Sequence, residues 1–505
     1  MRARTLLIVV AAAAALAMGA FLLSPLLSRP EPPQSPSVPD YWPTESWRSG
    51  TPESQGFDSA ALARELRQLQ EGGVRIDSLL LIRNGYVILD AYFAPYDGSF
   101  AHDMASVTKS ITTTLVGIAA GQGKLDPDAP MLSYFPDRRV ANLDARKQAV
   151  TVRHLAGMVN GFESGCLRGD EPTLDAMRAA PDWMQQSLDR KMVRDPGKAF
   201  CYDSPGMHLL SGILQQTTGM SEMEFARTQL FEPLGIHEFM WESDPQGYTD
   251  GWGDIHLFPR DAAKLGYLFL HGGEWDGRQI VPEDWVRQAV TARVHANGDD
   301  DYGLGWWVSD DSYWALGRGG QHVKVYPALN AIVVVTAAEF DFDQLEPLLR
   351  ASFQDAEQAL PANPDGVAAL DSTLAELVQP KQSFPQGWLP ATALAVSGRT
   401  YDFGADAAEA LDLTALTLEF KDATEATMIV KGRYDLNTWP VGLDGTYRQT
   451  LDGRAMRGYW SDDRTFVIEM FDIGQLTYFA HFEADRLVLT SNNFAGQFEG
   501  MVSRP

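Results

Sequence analysis

Ser106 and Lys109 stand three residues apart in the segment HDMASVTKSITTTLVGIAAGQGKL, at the start of an apolar-periodic run. Residues i and i+3 of a helix share a face, so the hydroxyl and the amine can meet. A serine becomes a nucleophile only when a base takes its proton. A lysine serves as that base where burial, neighbouring cations and the positive end of a helix dipole favour the neutral amine. Of the ten lysines in the chain, Lys109 alone has a serine three residues before it. Taken by itself, Ser106 reads more simply as a helix N-cap. Its position, after a predicted hairpin and at the head of a long apolar helix, favours the nucleophile.

Two further segments carry groups such a site needs. In FCYDSPGMHLLSGILQQTTG, Tyr202 lies in a short polar loop before a helix, with Ser204 as the expected N-cap and Pro205 as the first helical residue. Tyr202 is either an aromatic at the edge of the core or, beside a nucleophile, a proton relay. In WALGRGGQHVKVYP, Gly317, Gly319 and Gly320 interrupt a strand pattern. Glycines there mark a turn or the close approach of another backbone. In the second case the N–H groups of Gln321 and Ser106 could hold an oxyanion. Trp252, Trp306, Trp307 and Trp314 are candidates for an apolar acyl pocket, and each is equally a core residue. Cys166 and Cys201 could pair in an oxidising compartment or stay as two buried thiols. Neither sits in a metal-type spacing, and no HExxH or clustered histidine appears, so no metal or cofactor is expected.

The elements that must position these groups follow from pattern. IDSLLLIRNGYVILDAYF has two apolar runs split by Asn84-Gly85, a strong hairpin signal. Helices are expected from Ser106 to Leu125, over MHLLSGILQQTTG, and over DAAKLGYLFLHGG up to Gly272-Gly273. Strands return in YGLGWWV, YWALG, HVKVY and NAIVVVTA. Strands, then helices, then strands suit a sheet built from both ends of a domain around a helical insertion. From Val396 onward, short alternating runs separated by Gly, Asp and Asn turns suggest a separate all-β unit. The expected division is 1–28 signal peptide or membrane anchor, 29–43 Pro-rich linker, 44–355 domain carrying the serine–lysine pair, 356–390 connector, and 391–505 β-barrel or sandwich.

Composition narrows the class. The uncharged run Thr5–Leu27 after Arg2 and Arg4 reads as an export signal or an uncleaved anchor. The expected location is therefore the periplasm or the outer side of the cytoplasmic membrane. A net charge of -26 repels phosphate backbones and argues against a nucleic-acid partner. The absence of any G-x-S-x-G removes the α/β-hydrolase alternative.

Ser106-Val107-Thr108-Lys109, Tyr202-Asp203-Ser204 and Gly319-Gly320-Gln321 fall in the order and spacing of the three motifs of class C β-lactamases and related esterases and peptidases. DSLLLIRNGYVILDAYF, TQLFEPLGI and FPRDAAKLGYLFLHGGEWDGRQIVPEDW also resemble that superfamily, the last especially the branch containing 6-aminohexanoate-dimer hydrolase. The resemblance covers roughly residues 45–350. It implies an α+β fold, an α/β/α sandwich with a helical insertion. It also implies acyl-enzyme chemistry on Ser106, with Lys109 and Tyr202 moving protons and backbone N–H groups holding the oxyanion. Two departures stand out. Ser204 replaces the β-lactamase Asn, and Gly-Gly-Gln replaces Lys-Thr-Gly, so the cation that would meet a substrate carboxylate is missing, with Arg318, one residue before the motif, as a partial substitute. A small ester or linear amide is therefore the expected substrate. The alternative is a penicillin-binding or acyl-sensor protein with slow or no turnover. A structural envelope protein working through its β-unit is the more distant rival.

Overall fold

The computed structural model describes residues 39–164, 171–346, 358–379, 388–433, 436–492 and 496–503. The expected signal or anchor, most of the Pro-rich linker, and Cys166 lie outside these residues. Among the described residues no helix is long and apolar enough to cross a membrane.

The Asn84-Gly85 hairpin forms as expected, between β1 (Arg75–Arg83) and β2 (Tyr86–Tyr92). Both turn residues have positive φ, 50° and 81°, which matches the twist of the flanking strands. The later strands β3 (Tyr313–Gly317), β4 (Gln321–Tyr326) and β5 (Ala331–Glu339) run antiparallel to their neighbours, and β5 pairs with β1. The two ends of the domain thus meet in one nine-stranded sheet, extended by short strands at either edge.

Alternation along these strands sorts side chains into two cores. Leu79, Leu81, Val333 and Val335 face one side, with α1 (Ser59–Glu71) packed there. Leu80, Ile82, Ile332 and Val334 face the other, against α2 (Thr108–Gly121) and α4 (Pro259–Leu270). Burial on both faces explains why these strands read as continuous apolar runs. Between α2 and α4 lies the helical insertion, which contains α3 (Ser204–Thr218). The architecture is the expected α/β/α sandwich.

The stretch expected to be a connector contains α5 (Pro364–Leu377), which packs on α1 and buries Leu370 and Leu377 in the first domain's core. Beyond it, nine strands close into a barrel. The ring runs from β6 (Thr400–Phe403) through β7 (Ala415–Phe420), β8 (Glu425–Lys431) and β9 (Leu436–Gly442) on one side. On the other it continues through β10 (Ala455–Trp460), β11 (Thr465–Asp472), β12 (Gly474–Glu483), β13 (Arg486–Ser491) and β14 (Gln497–Val502). It closes where Gly442 pairs with Arg457.

The barrel has its own apolar interior, and it also packs against the first domain. Tyr96 and Phe100 form a buried cluster with Ala455 and Phe471, and the Gln449 side chain bonds both backbone polar groups of Ala101. The barrel therefore abuts the segment that leads directly to Ser106.

Candidate active site

Every residue from Ala101 to Ala119 is buried except Ser106, which is half-exposed. Ser106 lies in a single 3-10 turn, Ala105–Val107, and the α-helix proper begins at Thr108. The turn is entered through Ala105 with φ +46°, a conformation that costs a non-glycine residue about 1–3 kcal/mol. The surroundings hold it there. The Asp103 carboxylate accepts the Ala105 N–H at 2.6 Å, and the Ala105 carbonyl accepts from the Thr108 hydroxyl at 2.5 Å and the Asp254 N–H at 3.2 Å. The Ser106 N–H, in the first turn of the helical run, has no intrahelical acceptor and can meet an oxyanion.

Lys109 is 1% exposed, and its Nζ donates to Ser106 Oγ at 2.8 Å. It also donates to the Trp252 carbonyl at 2.6 Å, while one turn further on the Thr112 hydroxyl donates to the Gly251 carbonyl at 2.7 Å. The 251–252 backbone thus lies along this face of α2. It can do so because residue 251 is glycine: a Cβ there would sit 2.7 Å from a Glu222 carboxylate oxygen and 3.0 Å from the Ser211 Cβ.

Tyr202 completes the group. Its ring centroid is 4.8 Å from Lys109 Nζ, and its ring stacks on Trp307 at 6.4 Å. Its loop is anchored from behind. Asp203, fully buried, takes two hydrogen bonds from Arg190, at 2.5 and 3.1 Å, and one from Asn160 at 2.8 Å. The Tyr202 carbonyl accepts from Ser164. Cys201, next in the chain, is disulfide-bonded; Cys166, its expected partner, falls outside the described residues. If Tyr202 relays a proton, Tyr202→Phe keeps the stacking and removes the hydroxyl. We expect kcat to fall by roughly 10²–10⁴-fold with little change in fold. Wild-type turnover in that variant would return Tyr202 to a packing role.

One expectation is corrected by the geometry, and readings left open elsewhere are decided. Ser204 is not the N-cap of α3: Asp203 precedes the helix and Ser204 is its first residue. Both the N–H and the hydroxyl of Ser204 are given to the Glu171 carboxylate, at 2.9 and 2.7 Å, so its hydroxyl proton is already committed. The glycine segment does make close backbone approaches: at Gly317, beside the serine turn, a Cβ would lie 2.5 Å from the Met104 carbonyl. Gly319 and Gly320 also lie close to backbone, against the Ala337 and Phe340 carbonyls. Gln321 begins β4, which packs with β3 against the serine turn; its buried side-chain amide bonds Ala337 and the Arg318 carbonyl. Of the tryptophans, Trp307 reaches the site through its ring on Tyr202 and Trp252 through its backbone carbonyl, whereas Trp306 packs on Phe269 and Tyr313 and Trp314 lies under Lys324.

Asp254 was not visible from sequence. It is a non-glycine residue with φ +68°, its carboxyl is raised by burial, and the charges of Arg318, Arg178 and Lys109 pull it back. Arg318 is exposed and faces this carboxylate electrostatically. Glu222, beneath Gly251, is fully buried, and that burial pushes its carboxyl from an ordinary 4.5 up to about 8. The folded chain therefore keeps it protonated near neutral pH, while the unfolded chain ionises it. Stability should fall as pH rises from about 4.5 to about 8, by at most ~1.4 kcal/mol per pH unit from this group, and level off above that window. Glu222→Gln should flatten this part of a thermal-midpoint profile; an unchanged slope would contradict the assignment.

Comparison with known proteins agrees with this arrangement. The family model described as Beta-lactamase matches residues 62–354. The chain is 22% identical over 279 residues to the 6-aminohexanoate-dimer hydrolase of Paenarthrobacter ureafaciens, covering 51% of this chain and 71% of that one. It is 26% identical over 195 residues to the lovastatin esterase of Penicillium rubens, covering 34% of this chain and 46% of that one. Among solved structures, EstCE1, a hydrolase with promiscuous acyltransferase activity, superposes with a TM-score of 0.50 at 16% identity, covering 59% of this chain and 98% of that one. With the family match spanning more than half of the residues and the serine–lysine pair at hydrogen-bond distance within it, the chain belongs to the Beta-lactamase family of hydrolases.

Proposed function

We propose that the protein hydrolyses neutral carboxylic esters or linear amides through an acyl-enzyme on Ser106, outside the cytoplasm. The observation that carries this is the single half-exposed hydroxyl in an otherwise buried segment, bonded at 2.8 Å to a buried lysine whose Nζ lies over the Tyr202 ring. Ser106 Oγ attacks the carbonyl carbon, and its proton passes into the Lys109–Tyr202 pair. Collapse of the tetrahedral adduct expels an alcohol or amine, which takes a proton from the same pair. Water then cleaves the acyl-enzyme and frees the carboxylic acid. The Ser106 N–H and an N–H from the β3–β4 hairpin would hold the oxyanion.

The substrate class rests on charge. Recognition of a carboxylate beside the reactive carbonyl profits from a fixed cation. The candidate next to the third motif, Arg318, is exposed and already faces Asp254. The whole chain carries a net charge of -26, which disfavours anionic substrates. The relatives named above are an esterase and a hydrolase of a dimer. The location outside the cytoplasm rests on the Arg2, Arg4 and Thr5–Leu27 pattern. The test is kcat/KM for p-nitrophenyl acetate against nitrocefin on one preparation. We expect the ester to be preferred. Preference for nitrocefin would place the activity among β-lactam hydrolysis and make Arg318 the first position to mutate. Stoichiometric acylation without turnover would favour an acyl sensor.

A further inference from the structure

Where the barrel meets the serine turn, three potential ligands converge. Asp103, His256 and Asp472 each offer one atom, and the three atoms lie within 4.8 Å of one another. Asp103 precedes the strained Ala105; His256 follows the Trp252–Asp254 segment that holds Lys109; Asp472 ends β11 of the barrel. Asp103 is 3% exposed and His256 5%, so two of the three are removed from water. Two carboxylates in such a place call for a cation or a proton.

The histidine supplies the independent evidence. Its Nδ1 lies 3.1 Å from the Asp254 carbonyl, to which it can donate, while its Nε2 is buried without a hydrogen-bond partner. A ring fixed through one nitrogen by a backbone carbonyl, with the other bare, is the usual posture of a metal-binding imidazole. The barrel backbone comes close to the ring at Gly453, where a Cβ would stand 2.3 Å from Nε2, so any other residue there would cover that nitrogen. The neighbouring cation, Arg454, is engaged with Asp452 and reaches Asp472 only at 3.9 Å.

We propose that Asp103, His256 and Asp472 form a binding site for one divalent cation of the Zn²⁺ or Mn²⁺ type. The imidazole suits Zn²⁺ and the two carboxylates suit Mn²⁺. Bonds of roughly 2.0–2.2 Å require the set to contract slightly, and Asp472, half-exposed, is the member with room to move. The ion would tie the barrel to the turn that carries Ser106, through a carboxylate that also accepts the Ala105 N–H. Its role is structural and separate from acyl transfer, so its test does not depend on finding a substrate.

The experiment is a Mn²⁺ titration of the chelator-treated full chain, read by loss of the free-ion EPR signal, with Zn²⁺ as competitor. We expect one equivalent bound and displaced by Zn²⁺. Asp472→Asn and His256→Gln should each weaken binding by more than the roughly 10–100-fold that loss of an outer-shell partner costs. Failure to bind Mn²⁺ or Zn²⁺ more tightly than about 1 mM overturns the proposal. So does an equivalent that survives both substitutions. If a variant unfolds by circular dichroism, the wild-type complex decides alone: electron spin-echo modulation should show one imidazole nitrogen coupled to the bound Mn²⁺, and its absence overturns the site.

Discussion

Ser106→Ala should abolish ester turnover, with kcat falling roughly 10⁶-fold, the scale of nucleophile loss in a serine hydrolase. The size of the effect follows from the surroundings. The other side chains from Ala101 to Ala119 are buried, so no neighbouring hydroxyl in that run can take over. The fold should survive, because the substitution removes one oxygen from a half-exposed position and leaves the bonds that hold Ala105 in place. The checks are kcat/KM for a p-nitrophenyl ester and a thermal midpoint on the same sample. Retained turnover with an intact midpoint would place the nucleophile elsewhere.

Lys109→Ala should lower kcat by about 10²–10⁴-fold or more, the range for loss of a general base. Here the midpoint should move as well. Lys109 is buried and donates to the Trp252 carbonyl, so truncation leaves that acceptor without its bond and opens a hole beside α2. Lys109→Met fills the hole without restoring the amine and separates the two effects. Loss of kcat in Met with partial recovery of the midpoint, the share owed to the filled hole, supports a proton-transfer role. Recovery of kcat in Met would reduce Lys109 to packing.

The site was legible where its residues lie close together in the chain. Ser106 and Lys109 share one turn, and the Asn84-Gly85 hairpin and the strand after Gly320 follow from local pattern. The Tyr202 loop was legible as a loop, but its support was not. Asn160, Glu171 and Arg190 come from separate segments and are brought together by the helical insertion. Ser204 looked like a cap because Ser-Pro is a good helix start. The competing fact, a carboxylate at residue 171 that takes both its polar hydrogens, is tertiary. Helix α5 was hidden by its Ala- and Asp-rich composition. Asn363-Pro364 ahead of Val367, Leu370, Leu374 and Leu377 was the available signal, a cap followed by helical spacing. The Asp103, His256 and Asp472 cluster had no sequence signature, because its members come from both domains.

The central claim is that Ser106 is the acylated residue. The most direct test treats the full chain with a fluorophosphonate probe and maps the adduct by peptide mass spectrometry. One adduct per chain, on the peptide containing Ser106 and absent from Ser106→Ala, is the expected result. An adduct on another serine, or none on a folded sample that still turns over an ester, would contradict it.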